Sequence, residues 1–183
     1  MTPRPRVTGP ARADRRRPRR LRRGLAALAA VSLLATAAGC GTSAADAPPT
    51  ARQQDVARKG ASVMPFDLER TTHRFVPVDD GLRQEVVSDT ATDAEQVRLI
   101  REHLTHEAER FRRGDYADPA RIHGAGMPGL RELSAGSAGI EVSYSERPDG
   151  AALRFRTADP ALVDALHRWG AAQVADHGEH AEH

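Results

Sequence analysis

The chain has 183 residues, with 27 Lys and Arg against 25 Asp and Glu, eight His and one Cys. A single cysteine excludes an intrachain disulfide, and an aromatic content of 4% argues against a stacking surface for nucleic acid or sugar. The first 39 residues hold ten of the basic groups and one acidic group. The remainder carries 17 basic against 24 acidic groups, a net charge near −7 with His neutral, so the basic balance of the whole chain is no nucleic-acid footprint.

The N-terminal stretch "RADRRRPRRLRRG" is a dense positive segment ahead of an Ala-rich apolar run from Gly24 to Gly39. Those 16 residues fall short of the roughly 20 that a spanning helix needs, and they suit the apolar core of a signal peptide. Ala37, Ala38 and Gly39 then precede Cys40. This tripeptide plus cysteine resembles the bacterial lipoprotein lipobox, with Ala37 where Leu is commoner. The resemblance implies that residues 1–39 are a cleaved signal peptide and that the Cys40 sulfur is diacylated. Two acyl chains give stable anchoring where one is marginal, which places the mature chain on the extracytoplasmic face of the cell membrane. Arg22–Arg23 leaves both the general secretory and the twin-arginine export routes open.

Residues 40–63 are rich in Ala, Ser, Pro and polar groups without apolar periodicity, and read as a flexible tether. Residues 64–178 suffice for one small domain. In it, "THRFVPV" alternates as a strand, "DDG" signals a hairpin turn and "LRQEVV" returns. "TDAE" at 92–95 is a capping box with Thr92 as N-cap. Val97, Ile100, Leu104, Ala108 and Phe111 follow at helical spacing, and Gly114 ends that helix. Residues 115–139 are irregular, with short helical turns after Pro119 and Pro128. "IEVSYS" and "AALRFRT" form a second strand pair around "ERPDG", and Asp159 caps a last helix that starts with Pro160 and buries Leu162, Leu166 and Trp169. Strand-turn-strand-helix thus occurs twice. The expected fold is α+β: two hairpin-helix units forming a four-stranded, mainly antiparallel sheet with both helices on one face.

No Walker, Rossmann, G-x-S-x-G or H-E-x-x-H motif occurs. Histidine stands out instead, since all eight follow the tether, and neutral imidazole is a good ligand for Zn or Cu. "DHGEHAEH" spaces His177, His180 and His183 at three-residue intervals, either a loose metal-gathering tail or a solvated end, residues 179–183 being read as a tail beyond the domain. In "RIHGAGMPGL", His123 and Met127 lie among glycines, and imidazole with thioether is a copper-type pairing; Met127 as a core plug is the alternative. His103 and Glu107 have the spacing of a surface ion pair, with His103 as a metal ligand the alternative; His73 shares a strand face with Phe75 and reads as core edge or sheet surface, and His167 reads as a half-buried structural histidine.

From "VMPFDLERTTHRF" through "IREHL", "GDYADPARIHGAGMPGL" and "DPALVDALHRWGAAQVADHG", residues 63–178 resemble a family of small uncharacterised bacterial proteins. Some members carry an aspartate carbamoyltransferase label. The S-T-R-T carbamoyl-phosphate loop of that enzyme is absent here, and about 120 residues are too few for its two domains. The resemblance implies one domain and no site residues. Three readings stay open. A non-catalytic binding module for a metal or small ligand requires converging histidines. An interaction lipoprotein docking on another envelope protein requires an exposed apolar sheet face and scattered histidines. A small enzyme working from the 115–130 loop requires a pocket with perturbed carboxylates.

Overall fold

The computed structural model describes residues 48–183, so the expected signal peptide and the expected lipidation site at Cys40 lie outside the described residues. Its elements are α1 (Ala51–Gly60), β1 (Thr71–Val78), β2 (Gly81–Ser88), α2 (Ala94–Arg112), α3 (Ala117–His123), α4 (Leu130–Ala135), β3 (Glu141–Arg147), β4 (Gly150–Arg156), α5 (Pro160–His177) and β5 (Ala181–Glu182). The class is α+β, as the periodicity predicts. The sheet, however, has five strands in the order β3-β4-β2-β1-β5, and it is mixed because β5 pairs parallel to β1 through His73↔Ala181 and Arg74↔Glu182. A two-residue strand is too short to leave a period in the sequence. Its pairing is reinforced by an ion pair between Arg74 and Glu182. The segment 179–183, read from sequence as a tail beyond the domain, is therefore tied to the sheet edge at Ala181 and Glu182.

Alternation sets the core. His73 and Phe75 on β1 stand opposite Val86 and Gln84 on β2, and Leu82, Gln84 and Val86 stand opposite Phe155, Leu153 and Ala151 on β4. These side chains line one face, where α2 and α5 pack with Ile100, Leu104, Ala108 and Phe111 from the first and Leu162, Leu166 and Trp169 from the second. Trp169 is fully buried, with its ring edge-on to Phe75, Phe111 and Phe155 at centroid separations of 6.1, 6.0 and 5.6 Å. The other face of the sheet is polar. Glu85 is buried there between Arg147 at 3.1 Å and Arg83 at 3.3 Å, and Asp80 pairs with Arg154 and Arg156.

The expected tether contains α1, which corrects the flexible reading of residues 40–63 at its C-terminal part. Thr50 and Gln53 form a reciprocal capping box, the Thr50 hydroxyl accepting from the Gln53 N–H and the Gln53 amide oxygen accepting from the Thr50 N–H. One apolar residue, Val56, is fully buried, and polar contacts do the rest. Arg52 donates to both Asp176 oxygens and, at 2.7 Å, to the His123 carbonyl, while Gln53 donates to the Ala175 carbonyl. A helix held by one buried valine and long-range polar bonds shows no apolar stripe, hence its invisibility to periodicity. At α2 the cap is Asp93 rather than Thr92, its carboxylate accepting from the Gln96 N–H. Asp159 and Pro160 start α5 as expected. Among the described residues no helix is long and apolar enough to cross a membrane.

Candidate functional site: a histidine-lined cavity

His73 points from β1 toward the helices, His103 comes from the middle of α2, and His123 and His177 are the last residues of α3 and α5. All four line one cavity of about 50 Å³ under α2, α3 and α5. Each of the two helix ends is followed by a glycine at positive φ, Gly124 at 89° and Gly178 at 60°. That backbone turns the chain away directly after the imidazole, and the repeated His-Gly dipeptide is its sequence trace. The rings of His73 and His177 stack at 5.1 Å with planes 6° apart, and His123 meets His177 edge-on at 5.1 Å and 72°. His177 also borders an open groove formed with Thr50, Gln53, Glu69, Glu179 and His180, so it stands between that groove and the cavity.

The imidazoles are kept neutral. Burial pushes His73 down to about 3 and His103 to about 4, and it lowers His177 well below the usual histidine value. His123 is lowered too, burial outweighing the Asp176 carboxylate that favours its protonated form. The His123 Nδ1–H donates to Asp176 Oδ2 at 2.8 Å, and Asp176 is itself gripped by Arg52 at 2.6 and 2.9 Å. A carboxylate can only accept, so this bond fixes the proton on Nδ1 and leaves the Nε2 lone pair of His123 free.

On the α2 wall, Glu107 is buried, and its carboxyl is pushed up to about 7 by burial first and by the neighbouring Asp118 charge second, with Arg110 opposing both. Arg110 binds Asp118, reaches Asp115 at 2.9 Å and lies 3.4 Å from Glu107. His103 and Glu107 thus share a helix face as their spacing requires, but they turn into the cavity and do not form the exposed ion pair expected of them.

The cavity is also where unpaired polarity collects. Among the described residues, five buried side-chain polar atoms have no hydrogen-bond partner, and four of them, His73 Nδ1, Gln84 Oε1, Gln173 Oε1 and Trp169 Nε1, belong to residues lining this cavity. The lining also includes Met64, Phe66 and Phe75.

Two of the five metal candidates from sequence, His123 and His177, meet here. Met127 does not join them. It is buried in the apolar core and does not line the cavity. His180 lies on the outer groove, 3.6 Å from Glu69, and His183 is exposed at the chain end. His167 has a structural role, its Nε2–H reaching the carbonyls of Val78 and Gly81 at 3.0 and 2.9 Å. Among the described residues no group of three or more His, Cys, Asp or Glu side chains is already arranged to hold a metal ion. Comparison with family models, curated proteins and solved structures finds no match to this chain.

Proposed function

We propose that this chain is an exported, lipid-anchored binding module whose ligand occupies the histidine-lined cavity. The observation that carries the reading is the concentration of partnerless polar atoms in that one place. Each buried unpaired group costs about 1–3 kcal/mol, and apolar side chains of similar shape would remove that cost in a cavity serving stability alone. The same positions hold imidazoles, amides and an indole N–H, groups that recognise a polar guest. A volume of about 50 Å³ restricts the guest to an ion or a molecule of a few heavy atoms.

The enzymatic alternative draws on Glu107, raised to about 7, and on the Asp176–His123 pair, which together supply acid and base. The small volume leaves little room for a substrate beside them, which favours binding over turnover. The interaction-lipoprotein alternative is less well supported, because the open sheet face carries Arg83, Arg154 and Arg156 rather than an apolar patch.

Trp169 tests the reading. It is the only tryptophan of the chain, it lines the cavity, and its buried indole N–H has no partner. A guest should therefore change its emission saturably. Titration with Zn(II), Cu(I), ammonium, formate and urea is expected to give such a response for at least one; a flat response to all five overturns the binding-module reading. Replacing Cys40 with Ser is expected to move the protein from the membrane to the soluble fraction, and unchanged membrane association overturns lipid anchoring.

A further inference from the structure

Resting on that reading, the geometry points to a copper- or zinc-class transition-metal ion as the guest, held by the imidazoles of His73, His123 and His177. Two imidazoles sharing an ion through bonds of about 2.0–2.1 Å at a tetrahedral angle have ring centres about 5 Å apart. Both ring pairs already stand at 5.1 Å. His123 and His177 also have crossed planes, which lets one ion lie in both. The stacked planes of His73 and His177 do not allow this, which is why three donors do not yet converge. His73 Nδ1 has no partner to lose, so a turn of that ring to join the set would sacrifice no hydrogen bond at that atom.

The surroundings fit a metal centre more closely than a chance cluster. The bond from His123 Nδ1–H to Asp176, with Asp176 clamped by Arg52, is the outer support that fixes tautomer and ring orientation in metal-binding histidines. His177 stands between the cavity and a groove that carries the Glu69 and Glu179 carboxylates, suited to drawing a cation inward. The three donors are neutral and nitrogenous, the Asp176 charge is matched by Arg52, and aromatic walls and the Met64 thioether complete the lining. Such a site burdens a monovalent ion less than a divalent one, and nitrogen with soft sulfur nearby suits Cu(I); Zn(II) is the comparison ion.

The test uses the full chain in detergent, titrated anaerobically with Cu(I) and separately with Zn(II) against a chromophoric competitor, with Trp169 emission recorded in parallel. The expected result is one ion per chain, with X-ray absorption showing imidazole nitrogen. His123→Ala and His177→Ala should weaken binding at least 30-fold. Asp176→Asn, which leaves every donor in place, should weaken it about 10-fold, and its melting curve reports whether the fold survives. His180→Ala combined with His183→Ala should leave affinity unchanged. Loss of binding in that tail variant with retention in His123→Ala overturns the assignment in favour of the chain end. A saturable Trp169 response to ammonium, formate or urea, with none to either metal, overturns the metal and leaves the binding module standing; silence to every solute overturns both.

Discussion

Glu107 offers a quantitative check on the cavity. Its carboxyl is buried beside Asp118 and is raised from the ordinary 4.5 to about 7 in the folded protein. A carboxyl with a raised folded value contributes its full stability below the unfolded value and loses it as pH climbs through the folded one. The gap corresponds to about 3 kcal/mol at 1.36 kcal/mol per pH unit. Glu107→Gln keeps the shape and removes the charge, so it escapes this loss. Relative to the wild type, the variant should therefore gain about 3 kcal/mol between pH 4 and pH 8.5, with the change concentrated between 4.5 and 7. Urea unfolding of both proteins in the presence of a chelator, at matched ionic strength, measures it. Taking the difference between two chains cancels the histidines, whose titration is common to both. A difference constant within about 0.5 kcal/mol across that range, or one of opposite sign, would refute the account of a buried carboxyl facing Asp118.

Three further outcomes follow from the packing. Leu104→Ala, at a site 1% exposed under the sheet, should cost about 2–5 kcal/mol in chemical denaturation, and a loss below about 0.5 kcal/mol would mean that α2 does not pack there. Gly129→Ala should destabilise by more than about 2 kcal/mol, because φ is +78° and the new Cβ would stand 2.2 Å from the Ala165 carbonyl oxygen; calorimetric melting shows it. Val56→Ala should speed hydrogen exchange across residues 51–60 more than Arg52→Ala does, since Val56 is fully buried whereas the Arg52 side chain is 48% exposed, and exposed ion pairs are worth about 0–1 kcal/mol.

The parts of this fold legible in the sequence are those in which one element buries its own stripe. Val97, Ile100, Leu104 and Phe111 announce α2, and Leu162, Leu166 and Trp169 announce α5, because apolar burial imposes a period of 3.6. Both hairpins are legible from alternation around Asp-Gly. α1 is not, because Val56 is its one fully buried apolar residue, which leaves no stripe, and its polar contacts reach as far as Asp176, 124 residues from Arg52. The cavity was half legible. His123 stands out among its glycines and His177 through its spacing with His180 and His183, but His73 reads as core edge or sheet surface and Glu107 as half of a surface ion pair, since no local pattern reveals that these side chains of β1 and α2 line one cavity. Met127 misled for the same reason: thioether and imidazole are four residues apart in sequence, and the backbone sends them to different compartments.

The helix found within the expected tether also changes what the molecule can reach. If Cys40 is acylated as proposed, then with α1 docked ten residue steps, from Cys40 to Thr50, would join the lipid to the domain. Fully extended, they reach about 35 Å, comparable to the thickness of the bilayer core itself. The groove beside His177 is bordered by Pro48, Pro49 and Thr50, the point at which this short leash joins the fold. On the proposed lipid anchor, a guest released there would emerge within that reach of the headgroups, so its exchange partners would include molecules that share the same leaflet. Their encounters with the groove would be governed by a local concentration set by leash length rather than by bulk abundance.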